Sequence, residues 1–301
     1  MVLQFVTGAD SGMFAQSLIL LQSFEDCGAN RGIQVCDFGL AAGQREFLRA
    51  RGQLLVADSP PLGRRHPWYY KASLGDFMSP GSDGIVWLDA DMIVTADPRR
   101  AVTTLAAEMR AGGQVIATCP DGGNLDLGGF CTTWSQNGTD TAPAMRLFKQ
   151  YRIAPTHSYL NSGFFVALSR PWLETWKTMA FEVEQHVLFE QNAFNAAAWR
   201  MPETVRLLDR RQWNLHGTDL ARVAVGDDGR SVSCDDVSVT VLHATAADER
   251  YARNVQIDVA LGADVIPVAM KIFGHPVLQS WQRACFSRFV AANADELRGC
   301  F

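Results

Sequence analysis

The chain has 301 residues, 48% hydrophobic and 20% charged, a globular composition with enough apolar material for a large core. A net charge of −5 and a pI near 5.7 exclude a strongly basic nucleic-acid binder, so nucleic acid is not an expected partner. No run of about 18 uncharged apolar residues and no export-signal pattern is present, and seven scattered cysteines, odd in number and without zinc-type spacing, point to a reducing, cytoplasmic setting.

The first half alternates short apolar runs with helical patterns, which is how a parallel sheet with crossover helices is written. Residues 3–7 read as a strand, 8–12 as a turn, and 13–24 as a helix with Phe14, Leu18 and Leu21 on one face. A strand at 33–38, a helix at 44–51 and a strand at 54–56 follow, then a turn-rich stretch at 58–63 and a helix at 68–77. Residues 85–88, Ile85-Val86-Trp87-Leu88, form the continuous apolar run that a central strand covered on both faces requires.

Beyond it, 101–110 read as helix and 115–118 as strand, while 121–141 are so rich in Gly, Thr, Asn and Asp that they read as a long loop able to carry a binding surface. Residues 164–168 read as strand and 172–189 as helix, and Gly226-Asp227-Asp228-Gly229 as the turn of a hairpin. A β-branched strand at 237–242 ends at His243. In 277–297, Leu278, Trp281, Cys285 and Phe289 recur at spacings of three or four, so a docked helix is expected. The domain reading is one α/β domain over 1–250 with 251–301 as a helical extension on it. Asn137-Gly138-Thr139 fits a glycosylation sequon and is read as a chance match.

Asp89 and Asp91 lie at i and i+2 where the apolar strand runs out. If the backbone stays extended, both carboxylates point to one face and together form a hard-oxygen cation site. Ligands of open parallel sheets bind beyond the carboxyl ends of the strands, where this pair falls.

The stretch from Asp83 through Asp89-Ala90-Asp91 to Val94, apolar on both sides of the acidic pair, resembles the metal-binding strand of the GT-A fold glycosyltransferases. The likeness is in particular to the family of glycogenin and the bacterial lipopolysaccharide galactosyltransferases, glycosyltransferase family 8. Further segments match in order over roughly residues 1–250. Phe5-Val6-Thr7-Gly8-Ala9-Asp10 is similar to the first strand, which places Thr7, Ala9 and Asp10 at the nucleoside; Ala90 joins the donor-binding set. Trp68-Tyr69-Tyr70-Lys71 resembles the segment whose basic residue meets the diphosphate or sugar, and Asp121 a carboxylate that holds sugar hydroxyls.

Tyr159-Leu160-Asn161-Ser162-Gly163 matches the motif whose Asn reaches the transferred sugar, with Ser162 beside it. Glu190-Gln191 resembles an Asp-Gln pair on the reacting face of the donor, and Gln212-Trp213-Asn214 a recurrent turn. His243 matches the position of an imidazole metal ligand, so the resemblance implies Asp89, Asp91 and His243 around Mn²⁺ or Mg²⁺. It further implies a mixed, mostly parallel GT-A sheet, a nucleotide-diphospho-sugar donor with UDP as base, a saccharide, lipid-linked or protein acceptor, and retention of anomeric configuration. Two positions depart from the pattern. The segment after His243 reads Ala244-Thr245-Ala246-Ala247-Asp248-Glu249-Arg250, without the Gly and Lys of the family's diphosphate clamp, leaving Arg250 or Arg253 as substitutes. Glu190 stands in place of an Asp. A nucleotidyltransferase and a catalytically silent sugar-nucleotide binder are the rival readings. Trp134 is a candidate acceptor-stacking residue.

Overall fold

In the computed structural model the described residues are 1–29, 32–57, 66–226, 231–246, 248–261 and 264–301. In chain order, the strands of the first half are β1 (Leu3–Ala9), β2 (Gln34–Asp37), β3 (Leu54–Leu55), β4 (Gly84–Leu88), β5 (Met92–Val94) and β6 (Ile116–Pro120). Those of the second half are β7 (Leu160–Ala167), β8 (Val205–Leu207), β9 (Val223–Val225), β10 (Val232–Cys234), β11 (Val237–Ser238), β12 (Val241–His243), β13 (Ala252–Leu261) and β14 (Asp264–Phe273). The helices are α1 (Phe14–Asp26), α2 (Ala42–Ala50), α3 (Pro67–Ala72), α4 (Arg99–Ala111), α5 (Leu127–Gln136), α6 (Ala142–Gln150), α7 (Arg170–Glu182), α8 (Phe189–Trp199), α9 (Arg210–Trp213) and α10 (Pro276–Ala292).

Seven strands form one sheet in the order β3-β2-β1-β4-β7-β6-β8. The pairs β1/β2, β2/β3 and β6/β8 are parallel, and β6/β7 is antiparallel. This is the mixed, mostly parallel α/β sheet expected from the alternation of apolar runs and helical patterns.

The chain divides into two compact units. The first comprises 1–4, 57–87 and 101–210, and the second 5–56, 88–100 and 211–301. In the first unit every residue of β7 is buried, and α7 and α8 bring Trp172, Trp176 and Phe194 into an aromatic cluster with Phe165. Ser169 caps α7 by accepting from the Trp172 N–H. Ser169→Ala should therefore cost about 1 kcal/mol, read as a fall of roughly 2 °C in the thermal midpoint.

In the second unit α1 is buried along nearly its whole length, with Gln16, Ser17 and Ser23 inside beside Leu18, Ile19 and Leu20. Ser23 Oγ accepts from the Val94 N–H of β5, which fixes the strand that follows the acidic pair. At the end of β1, Gly8 leaves no room for a side chain: a Cβ there would sit 2.3 Å from the Phe38 ring.

Several expectations change in detail. The helix expected over 68–77 stops at Ala72 and continues only as a 3-10 turn from Leu74 to Phe77. The helix expected over 172–189 ends at Glu182, and α8 begins at Phe189. The loop expected over 121–141 instead holds α5, because Asp126 accepts from the Gly129 N–H at its start while Leu127, Phe130 and Cys131 supply a buried face. Trp134 lies on this helix, 5.4 Å from Phe130. The strand expected over 237–242 is broken into β11 and β12.

The hairpin flanks β9 and β10 pair antiparallel as expected; their turn at 227–230, like the whole stretch at 58–63, lies outside the described residues. The tail helix is present as α10, with Leu278, Cys285 and Phe289 buried. It is preceded by two ten-residue antiparallel strands, β13 and β14, that the periodicity did not reveal. None of the seven cysteines is joined in a disulfide. No described helix is long and apolar enough to cross a membrane.

Candidate metal centre and sugar-binding cluster

In the second unit, Asp89 and Asp91 occupy the turn between β4 and β5. The Met92 N–H donates to the Asp89 carbonyl at 3.0 Å, so a closed turn, rather than the expected continuation of the extended strand, holds the two acids. β12 pairs antiparallel with β5 and places His243 opposite Met92. The Ala244 N–H then donates to the Asp91 carbonyl at 2.9 Å and locks the two segments. Ligand atoms of Asp89, Asp91 and His243 all fall within 4.8 Å of one another.

The imidazole's second nitrogen fixes how this triad works. His243 Nδ1 lies 2.9 Å from Asn214 Oδ1, an atom that can only accept, so Nδ1 carries the proton. Nε2 then faces Asp91 Oδ1 at 3.0 Å and Asp89 Oδ2 at 3.8 Å, the side of the ring that a cation among these groups would meet. Nitrogen and oxygen ligand atoms converging in a mostly buried place suit a cation bound among them. Two carboxylates and an oriented imidazole therefore fit a divalent ion such as Mn²⁺ or Mg²⁺. Asn214 is itself fully buried next to Leu215, whose N–H and carbonyl bond β12 at Val241 and His243. Loss of the amide in Asn214→Ala should weaken Mn²⁺ binding roughly ten- to a hundredfold, measured by calorimetric titration.

Sequence reasoning missed one member of this cluster. Lys271, on β14, places Nζ 2.8 Å from Asp91 Oδ2. Burial alone raises the Asp91 carboxyl, but the charges and hydrogen bonds of His243 and Lys271 outweigh it and hold the group well below the carboxylate range. The Asp91 charge in turn raises Lys271, which stays an ammonium. The Lys lies 180 residues from its partner, in a segment whose strand pairing had left no signal. Arg250, expected near the diphosphate, ion-pairs with Asp248 with its side chain 79% exposed. Arg253 is exposed on β13.

The remaining residues of the second unit lie at the end of β1. Thr7 and Ala9 are buried, and Asp10 Oδ1 accepts from the Met13 N–H at 2.9 Å, which ties the start of α1 to this strand end. Ala90, between the two acids, is buried as well.

The first unit gathers the other predicted residues. α8 starts after Leu188, whose φ of 54° lies in the left-handed region that a leucine rarely adopts. Its first turn presents Glu190 and Gln191, and two turns' worth of buried amides secure it to β7. Asn195 accepts from the Leu160 N–H and donates to the Leu160 carbonyl, and Asn192 accepts from the Tyr159 hydroxyl. These bonds fix the backbone that presents Asn161 and Ser162.

Asp121 is the hub of the cluster. Its Oδ1 accepts from Asn161 Nδ2 at 3.2 Å and its Oδ2 from Gln191 Nε2 at 3.0 Å. Gln191 Oε1 accepts from the Ser162 N–H at 3.1 Å, and Asn161 Oδ1 from the Gly163 N–H at 2.7 Å. Beside them Lys71 is buried, with Nζ 3.1 Å from Ser162 Oγ, 3.8 Å from Glu190 Oε1 and 5.5 Å from the centre of the Trp87 ring. A buried ammonium paired with a buried carboxylate is stable only while both remain compensated. The arrangement presents carboxylate, carboxamide, hydroxyl and ammonium groups together, the mixture of donors and acceptors that sugar hydroxyls require.

The chain matches no protein-family profile and no curated protein sequence. Solved structures do resemble it. The galactosyltransferase LgtC, in complex with donor and acceptor sugar analogs, shares 17% identity over 99% of this chain and 100% of that one, with a TM-score of 0.56. An active-site mutant of LgtC shares 16% identity over 99% of this chain and 100% of its own, with a TM-score of 0.54. WbbM, a bifunctional glycosyltransferase in its apo form, shares 12% identity over 80% of this chain and 45% of that one, with a TM-score of 0.53. At such identities the likeness establishes the fold, which is GT-A.

Proposed function

We propose that the chain is a metal-dependent glycosyltransferase that moves a sugar from a nucleotide-diphosphate donor, with UDP as the base, to a saccharide, lipid-linked or protein acceptor. The observation that carries this reading is the Asp89, Asp91 and His243 triad, with Asn214 orienting the imidazole so that Nε2 faces both carboxylates. A GT-A fold supports it independently of the triad.

Breaking a sugar–phosphate bond leaves a diphosphate whose negative charge grows as the anomeric carbon becomes electron-poor. Asp89, Asp91 and His243 would hold a divalent cation, which would supply Lewis-acid stabilisation to that leaving group. Thr7, Ala9 and Asp10 at the end of β1 are assigned to the nucleoside and Ala90 to the donor beside the acids. Lys71 is assigned to the diphosphate or sugar. Asp121, Asn161 and Ser162 orient the sugar, each in a fixed hydrogen-bonding state.

Gln191, held between Asp121 and Ser162, and Glu190 are assigned to the reacting face, and the reaction to retention. Arg250 remains a further cation for the donor, once released from Asp248. Seven cysteines outside any disulfide, six of them buried, favour a cytoplasmic, reducing setting.

Donor hydrolysis tests the reading. With Mn²⁺ present, a panel of UDP- and GDP-sugars should yield free sugar from at least one donor, and chelation should stop it. A thermal shift with donor and Mn²⁺ but no turnover, with or without candidate acceptors, identifies a binder and removes the enzyme assignment.

A further inference from the structure

Lys271 has no part in the assignments above, yet its ammonium is the one positive charge the described side chains place in hydrogen-bond contact with Asp91 apart from the imidazole. We infer that Lys271 is the internal counter-cation of the metal centre, occupying Asp91 until a divalent ion displaces it, so that the β13–β14 hairpin sets the affinity of the site. The inference rests on the proposed metal-binding role of Asp89, Asp91 and His243.

The backbone around Lys271 is built to hold that position. Its N–H donates to Gln16 Oε1 of α1 at 3.0 Å, and its carbonyl accepts from Gln282 Nε2 of α10 at 2.8 Å. Gln282 Oε1 also accepts from the Phe273 N–H, so one buried amide clamps the strand two residues apart. Met270 and Ile272, on either side, are buried. The strand is pinned and the side chain is not: a third of its surface is exposed, and a four-carbon stem can swing away while the backbone stays in place.

The charge balance gives the device its purpose. Two carboxylates in one pocket repel each other when no cation is among them, and an ammonium at 2.8 Å from Asp91 relieves that repulsion. An incoming divalent ion needs the same Asp91 oxygens and is repelled by the same ammonium. Loading is thus an exchange of cations on one carboxylate. The protein gains a centre that stays assembled without metal and loses part of its intrinsic metal affinity.

Lys271→Met keeps the stem and deletes the charge. Calorimetric titration of the full chain with Mn²⁺ should show binding tightened on the order of tenfold, the worth of one charge-assisted hydrogen bond. In chelator the variant should melt below the wild type, and Mn²⁺ should close that gap. Lys271→Arg, which retains the charge, should keep the wild-type affinity. Should the Met variant fail to fold, Lys271→Gln carries the same expectation. Damage to the fold weakens metal binding, so only loss of a competitor produces tightening. Equal or weaker Mn²⁺ binding by the uncharged variant overturns the inference alone, whereas absence of Mn²⁺ binding by the wild type overturns it together with the metal reading beneath it.

Discussion

Asp91→Ala is expected to abolish Mn²⁺ binding and Mn²⁺-stimulated donor turnover. Both Asp91 oxygens are committed, one facing His243 and one facing Lys271, and the side chain is buried, so no neighbouring group replaces it. The charge lost is the one that both cations of the cluster share. Turnover should fall by roughly a thousandfold or more, the scale on which removal of a principal electrostatic stabiliser acts.

Removing one partner of a buried charge pair also destabilises, by about 3–5 kcal/mol, so alanine alone confounds fold with site. Asp91→Asn separates them. The amide keeps the shape, and its oxygen still accepts from Lys271, but a neutral group no longer holds a divalent ion against the imidazole. An Asp91→Asn variant that is folded by circular dichroism and thermal melt, with no calorimetric Mn²⁺ signal, is the expected result. Full metal-stimulated turnover in either variant removes Asp91 from the site.

The acidic pair was legible because a buried apolar strand and a carboxylate repeat are both local patterns; Trp87, Leu88, Asp89 and Asp91 lie within five consecutive positions. Their convergence was expected from an extended backbone and is produced by a turn instead, a difference of one hydrogen bond between Met92 and Asp89 that no spacing rule encodes. Lys271 was not legible for a stronger reason. Its contact depends on the register of β13 against β14 and on Gln16 and Gln282, and all three are long-range facts of the fold.

The helix α5 shows a third case. Gly128, Gly129, Thr132 and Thr133 are poor helix formers, and their number hid the Leu127, Phe130, Cys131 and Trp134 spacing that the Asp126 cap completes. Among the carboxamides, Asn161 and Gln191 were found through their motifs, whereas the supports Asn192 and Asn195, just beyond Gln191, had no role assigned until β7 was seen to depend on them.

Asp121→Ala should cut kcat for donor turnover about a hundredfold while leaving Mn²⁺ affinity unchanged. The carboxylate does no coordination in the metal triad; it receives one N–H from Asn161 and one from Gln191, and so holds two carboxamides from two different elements in fixed orientation. Without it each amide regains rotational freedom, and Gln191 Oε1 loses the restraint that aims it at the Ser162 N–H. Misplacing a positioning group by about 1 Å costs on the order of a hundredfold in rate. Asp121→Asn distinguishes charge from geometry: its single amide oxygen can serve only one of the two donors, and its NH₂ group then faces the other donor. Activity in this variant should fall nearly as far as in the alanine variant. Steady-state kinetics with calorimetric Mn²⁺ titration on the same samples reads both effects, and an unchanged kcat in both variants would show that the Asp121 hub only supports the fold.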